Sequence, residues 1–304
     1  MANDILKPLT SREYKFMLRS DHFYDLNKGV NQLWGTVVGL LNTMNQGDIS
    51  IDQQWEGKQD LSEWRKTHYR DVAGHLLKSN NFIFRVREEG EGDKVKEHKL
   101  TLKYRSPDRF LSASKDMNAK KKSIKKLKDA KEEYKFEEDV VPDLSRGSLS
   151  FKSKYSASTS LEGKKKAPSI KTIDELETVY PVLKRLNLPK EMALHRVNDF
   201  TAHEIAIKLG IFDLKEEAPI KSSVSLWYFG PQHLDEPLVA EFSFSFEFPE
   251  DDGKPEIPMR TITTANRLFL TLLRQRQWFD PDKETKTGYA YNGFSSGENT
   301  GHDR

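Results

Sequence analysis

The sequence predicts an α+β fold in which an antiparallel β-barrel carries charge on its inside and helices on its outside. Three observations lead there. The first is Ala240 to Phe248, AEFSFSFEF, where period-two reading puts Phe242, Phe244, Phe246 and Phe248 on one face and Glu241, Ser243, Ser245 and Glu247 on the other. The second is that four more segments repeat this split with dense ionic faces of both signs. Glu13 and Lys15 alternate with Tyr14 and Phe16, and Arg85 and Arg87 oppose Phe82, Phe84 and Val86. Lys99, Thr101, Lys103 and Arg105 oppose Leu100, Leu102 and Tyr104, while Glu133, Lys135, Glu137 and Asp139 oppose Tyr134 and Phe136. A sheet with one wet face needs no such concentration of Lys, Arg and Glu, whereas a barrel lumen explains it directly. The third is a pair of helical patterns able to cover the apolar outer face, at residues 21–45 and 263–278.

In chain order, a strand at about Arg12 to Leu18 precedes an amphipathic helix over Asp21 to Asn45, with Ser20 or Asp21 as its cap. Residues 46–62 read as loop, with Ile49 and Ile51 in a short edge strand. Tyr69 to Glu88 leads through a turn at Ser79 to Asn81 into the arginine strand. The Gly- and charge-rich stretch 88–96 then connects it to the lysine strand as a hairpin. Leu149, Phe151 and Ser153 alternate as a further strand before SASTSLEGKKKAPS, which reads as an exposed loop. Thr172 and Glu175 form a capping box for a helix reaching about Leu186. HRVNDFTAHEIAIKLGIFDL and VSLWYFG supply two or three strands before the phenylalanine strand. The organisation expected is one domain over 1–280, with insertions at about 106–131 and 145–172, and an unstructured tail over 281–304.

Composition narrows the chemistry. Hydrophobic residues are 36% and charged residues 32%, and the net charge of +2 argues against a globally basic nucleic-acid binder. The absence of cysteine removes disulfides, thiolate metal sites and cysteine catalysis. No apolar signal core opens the chain and no run approaches the roughly 20 apolar residues of a membrane span, so a soluble, cytoplasmic protein is expected. Trp34 and Trp278 lie on apolar helical stripes and read as core. His68, His75, His195 and His203 have no metal-ligand spacing. The lysine-dense stretch Lys120 to Lys131 is either a solvated insertion or an arm for RNA or polyphosphate.

Several cations converging in a lumen call for a ligand with several negative charges, and a phosphate chain fits both the length and the charge of a barrel. Carboxylates beside them repel such a ligand unless they hold a divalent ion, for which oxygen ligands suit Mg2+ or Mn2+. Pairing of these groups as internal salt bridges is the alternative.

The chain resembles the triphosphate tunnel metalloenzymes, the CYTH family. REYKF from Arg12 resembles the family's opening E-x-E-x-K strand, with Glu13 and Lys15 matching. Tyr69 and Asp71 through Leu76 and Leu77 to Arg85 and Arg87 resemble its Y-x-D-T…L…L-R-x-R run. Thr101 and Lys103 match its T-x-K strand, and Lys135, Glu137 and Asp139 its R-x-E-x-E strand. Arg196 matches a later basic strand and AEFSFSFEF the closing acidic one. Ser11 stands where the family has its first glutamate, and Ser243 stands beside Glu241 where a second acidic residue is usual, unless Ser245 and Glu247 occupy those two places.

The resemblance implies an eight-stranded antiparallel tunnel and a metal-dependent phosphohydrolase acting on inorganic, nucleoside or thiamine triphosphate. It implies phosphate binding by Lys15, Arg85, Arg87, Lys103, Lys135 and Arg196, a catalytic role for Glu13 and Lys15, and metal held by Glu13, Glu137, Glu241 and Glu247. A catalytically silent module that binds polyphosphate, nucleotide or RNA ends is the second expectation, and an adenylyl cyclase the third.

Overall fold

The alternating segments form the strands of one sheet that curls until its ends meet. The computed structural model describes residues 7–292 except 46–48, 60, 124–126, 128, 144–148, 165, 216, 231–235, 252–253 and 281. Its strands are β1 (Ser11–Leu18), β2 (Ser50–Gln53), β3 (Glu63–Asp71), β4 (Phe82–Glu91), β5 (Lys94–Ser106), β6 (Lys131–Asp143), β7 (Ser150–Lys164), β8 (His195–Arg196), β9 (Ala202–Asp213), β10 (Ile220–Tyr228) and β11 (Val239–Glu247). The helices are α1 (Leu26–Asn45), α2 (Leu76–Ser79), α3 (Arg109–Ala113), α4 (Ile173–Val179), α5 (Met259–Leu272) and α6 (Lys286–Asn292). Among the described residues no helix is long and apolar enough to cross a membrane.

Nine strands make the ring, in the order β9-β10-β11-β1-β6-β7-β5-β4-β3. It closes where Lys66 and Thr67 of β3 meet His203 and Ala202 of β9. The α+β barrel with outer helices is therefore the fold expected, but with nine strands rather than eight. An odd ring cannot be antiparallel at every seam, and the parallel pairing of β1 with β6, from Ser11↔Glu137 to Tyr14↔Val140, resolves the parity. β2 and β8 extend β9 and β3 outside the ring.

The apolar faces point outward and bury themselves under helices. Phe242, Phe244 and Phe246 of β11 are buried with Tyr14 and Phe16 of β1 beneath Phe269 of α5. Tyr14 stacks on Phe244 with centroids 4.8 Å apart and planes 8° from parallel. α1 covers β9, where Trp34 stacks on Phe212 at 5.8 Å. A second apolar layer joins β4, β5 and β7 to α4, with Phe84, Leu102, Ala157 and Leu176 all buried. Trp34 and Trp278 are core residues, as their stripes predict.

Several local expectations change. The stretch read as an exposed loop, SASTSLEG, is the middle of β7, paired on both sides by β5 and β6. Its small hydroxyl residues mimic loop composition, yet Ala157 and Leu161 are fully buried outward while Ser156, Ser158 and Ser160 are buried on the opposite face. α1 starts at Leu26, after a 3-10 turn at Ser20–Phe23, and Asp25 accepts from the Lys28 N–H at 3.0 Å in place of a cap at Ser20 or Asp21. β3 begins at Glu63, directly after the expected loop, and takes in residues 63–68, for which the sequence reading marks no element. Thr172 does cap α4, but Pro181 ends the α-helix and the chain continues to Leu186 as 3-10 turns. The tail expected to be unstructured forms α6 over Lys286–Asn292, and residues 293–304 lie outside the described residues. In the lysine-rich insertion Leu127 is buried and the Lys121 ammonium donates to the Ala130 carbonyl at 2.9 Å, while residues 124–126 and 128 lie outside the described residues.

Gly210 of β9 leaves room for the Trp34 ring of α1. A Cβ there would stand 2.7 Å from the Trp34 ring and 2.8 Å from the Asp52 carbonyl. Gly210→Ala is expected to destabilise the fold by about 1–3 kcal/mol, read as a lower urea midpoint with unchanged slope. An unchanged midpoint would show that Trp34 does not pin α1 to β9.

Candidate functional site

Strand alternation decides what the lumen contains. Because Tyr14, Phe84, Leu102, Phe136 and Phe244 face outward, their neighbours one residue away face inward: Glu13 and Lys15, Arg85, Thr101 and Lys103, Lys135 and Glu137, Ser243. These side chains meet around a cavity of about 330 Å³. A second cavity of about 140 Å³ continues it toward α6 and shares Lys15, Arg85, Thr101, Lys103, Glu241 and Lys286. Along both, cations outnumber carboxylates.

Asp139 is the deepest charge of the set. It accepts from the Lys15 ammonium at 2.7 Å, from Arg105 at 2.7 Å and from the Ser156 hydroxyl at 3.0 Å. Burial alone would raise its pKa, but Arg105, Lys15 and Lys103 outweigh that and hold the carboxyl well below the ordinary range. Lys15 also contacts Glu13 at 2.7 Å. Burial works against its charge, and Asp139, Glu13 and Glu241 overcome burial, so its pKa is raised. Lys103 pairs with Glu137 at 2.8 Å, and Lys99 with Glu133 at 2.9 Å. Lys135 reaches Glu133 at 3.4 Å.

Arg85 is different. It forms no ion pair among the described residues, and its Nε is buried without a hydrogen-bond partner. Burial, followed by the neighbouring Arg87 guanidinium, lowers its pKa. A guanidinium held beside another cation and left without a carboxylate is poised for an external anion.

Of the sequence-predicted site residues, Glu13, Lys15, Arg85, Arg87, Lys103, Lys135, Glu137 and Glu241 all line the central cavity. Two do not. Arg196 lies on the two-residue strand β8, exposed opposite Arg70, because β8 is a flap on β3 outside the ring. There it joins an outer basic patch in which burial, then Arg196 and Arg70, push the His68 pKa down to about 4. Glu247 sits at the end of β11, 74% exposed at its side chain and 3.3 Å from Lys221.

Each of the four carboxylates expected to hold metal faces an ammonium: Glu13 with Lys15, Glu137 with Lys103, Glu241 with Lys286 at 3.0 Å and Glu247 with Lys221. Among the described residues no group of three or more His, Asp or Glu is placed to hold an ion. Ser11 and Ser243, at the family's acidic positions, bond to Glu137 at 3.5 Å and to Ser223 at 3.1 Å.

Glu204 and Lys286 are absent from the sequence-predicted set, and Arg105, though placed on the ionic face of its strand, was given no role in the site. Glu204 accepts from Ser225 at 2.7 Å and from Thr67 at 3.1 Å and meets Arg87 at 3.5 Å. Its signal was present, since Glu204, Ala206 and Lys208 alternate with Ile205, Ile207 and Leu209. Arg105 continues the alternation of β5. Lys286 had no signal, coming from a Gly- and Thr-rich stretch.

The closed, charge-lined barrel is a tunnel of the kind that the motif resemblance implies. No protein-family model matches the chain, and no curated protein matches its sequence. Solved structures do. A candidate adenylyl cyclase from Hippeastrum with a dominant triphosphatase activity is 12% identical over 94% of this chain and 96% of its own, with a TM-score of 0.38. A candidate adenylate cyclase from Bacillus halodurans is 13% identical over 91% of this chain and 97% of its own, with a TM-score of 0.34. A protein from Pyrococcus horikoshii is 9% identical over 87% and 89%, with a TM-score of 0.31. None of these likenesses assigns a role to a residue of this chain.

The lumen charges couple stability to pH. Burial raises the Glu204 pKa, but Arg87, Lys286, Arg65 and the Ser225 hydroxyl outweigh it, so the folded value lies well below the ordinary 4.5. A depressed carboxylate stabilises the fold above its unfolded pKa and loses that contribution as pH falls. Thermal stability is therefore expected to drop steadily below about pH 5. Glu204→Gln should lower stability at neutral pH by about 3 kcal/mol, because Arg87 and Lys286 lose their counter-charge, and should flatten the acid slope. An unaltered slope would contradict the assignment.

Proposed function

We propose that the tunnel binds a linear triphosphate, with Lys15, Arg85, Arg87, Lys103 and Lys135 as its phosphate grip. The observation that carries this is the surplus of lumen cations, and above all Arg85, a guanidinium with no ion pair among the described residues that faces a cavity of about 330 Å³. Thr101 and Ser160, bonded to each other at 2.9 Å, add hydroxyls between the cationic rows that can rotate toward phosphate oxygens. A monoanion would use only part of this surface, whereas a chain of three phosphates spans the rows on β1, β4, β5 and β6.

Cleavage of a phosphoanhydride bond is the second reading. Glu13 and Asp139 flank Lys15 within the grip, so two carboxylates stand where a phosphate chain would lie. As arranged they pair with a lysine inside the grip, while the surplus of lumen cations supports binding directly, so binding is the leading reading.

One experiment addresses both. Phosphate release from inorganic triphosphate, ATP and thiamine triphosphate is followed with Mg2+, Mn2+ or EDTA, beside calorimetric binding of triphosphate to the native protein and to Arg85→Ala. Binding is expected in EDTA, and Arg85→Ala should weaken it about thirtyfold, on the order of 2 kcal/mol. Equal affinity in the variant would remove Arg85 from the grip. Metal-dependent release lost in Glu13→Ala would make the protein a hydrolase, and saturable binding without release would leave it a binding module.

A further inference from the structure

Glu204 and Glu241 enter the lumen from β9 and β11, on either side of β10, and both are buried, with side-chain exposures of 3% and 9%. Two buried carboxylates that converge on one point repel unless a cation stands between them. In oxygen-lined tunnels a divalent ion is one solution. This chain supplies another, the ammonium of Lys286, which lies 3.0 Å from Glu241 and 3.5 Å from Glu204.

The lysine is delivered, not drifting. It opens α6, and α6 is anchored by its far end: the Tyr291 hydroxyl donates to Asp71 at 3.1 Å, and the Asn198 amide donates to the Ala290 and Tyr291 carbonyls at 2.9 and 3.1 Å. Asp71 is itself fixed by the Leu77 and Lys78 N–H groups at 2.9 and 3.0 Å, and Tyr291 is buried. The Tyr69 hydroxyl meets that of Thr287 at 3.4 Å beside the cavity. The first turn of α6 is thus held against the wall on which the two glutamates stand. The same device recurs nearby, where Lys15 lies 2.7 Å from both Glu13 and Asp139.

We infer that Lys286 is a built-in counter-cation that occupies the seat between Glu204 and Glu241, so that this carboxylate pair takes no divalent ion. With Arg87 also on Glu204 at 3.5 Å, the wall then meets an anionic ligand with its charge already balanced, and triphosphate binding needs no metal at this position. That last consequence rests on the proposed function; occupancy of the seat by Lys286 does not.

The test uses Mn2+ alone, without phosphate, titrated calorimetrically into the EDTA-stripped full chain. Native protein is expected to show no Mn2+ site tighter than about 1 mM, and Lys286→Met to gain one at least about tenfold tighter, read also as Mn2+-dependent thermal stabilisation. Lys286→Met combined with Glu241→Gln should lose the new site, and Lys286→Arg should stay blind to Mn2+. A merely structural lysine would give no gain of metal binding. A folded Lys286→Met protein without a new site overturns the inference. So does a submillimolar Mn2+ site in the native protein that Glu241→Gln abolishes, a comparison that decides the matter even if Lys286→Met does not fold. Loss of triphosphate binding with this Mn2+ pattern intact would count against the proposed function alone.

Discussion

One carboxylate, Asp139, ties four strands of the barrel together. It stands on β6 and accepts from Lys15 on β1, Arg105 on β5 and Ser156 on β7. The parallel seam between β1 and β6 is short, and Lys15 crosses it to reach Asp139. A buried ion network contributes less to net stability than its Coulomb energy suggests, because desolvation opposes it, but breaking one partner strands the others. The lumen is therefore constrained as a set. Each inward charge needs its neighbours, and the apolar residues between them are turned outward to the helices.

That constraint also shapes what the tunnel can do. Carboxylates that hold lysines fix the positions of those lysines, so the proposed phosphate grip would be organised before a ligand arrives. Arg85 stands outside these pairings and gives the lumen its readiest site for an anion. The resemblance to metal-dependent tunnels and the ammonium-filled seats of this one are compatible at the level of architecture. The resemblance would set Ser11 and Ser243 against carboxylates, and here Lys286 reaches the acidic wall from the C-terminal helix.

The parts legible in the sequence are those written in period two. Glu13 and Lys15, Arg85 and Arg87, Lys103, and Lys135 and Glu137 could be placed in one lumen because aromatic and aliphatic residues between them fixed the face. Only the start of β7, at Phe151 and Ser153, was legible; its later part was not, since serine suits a loop, a solvent face and a crowded lumen equally well, and only the two flanking strands decide among them. Arg196 was misplaced because two residues carry no alternation, so nothing distinguished a lumen strand from a flap. Glu204 was readable and overlooked. Lys286 was not readable at all, since its role depends on Asp71 and Asn198, from two distant parts of the chain, holding a short helix in place by its Tyr291 end.

The account stands or falls on whether the lumen recognises a chain of phosphates. The most direct measurement is the affinity of the full chain for inorganic mono-, di- and triphosphate, in EDTA and at fixed ionic strength. A lumen gripped by successive cationic rows predicts affinity rising about tenfold or more with each added phosphate. Equal affinity for all three would contradict it and reduce the tunnel to a nonspecific cationic surface.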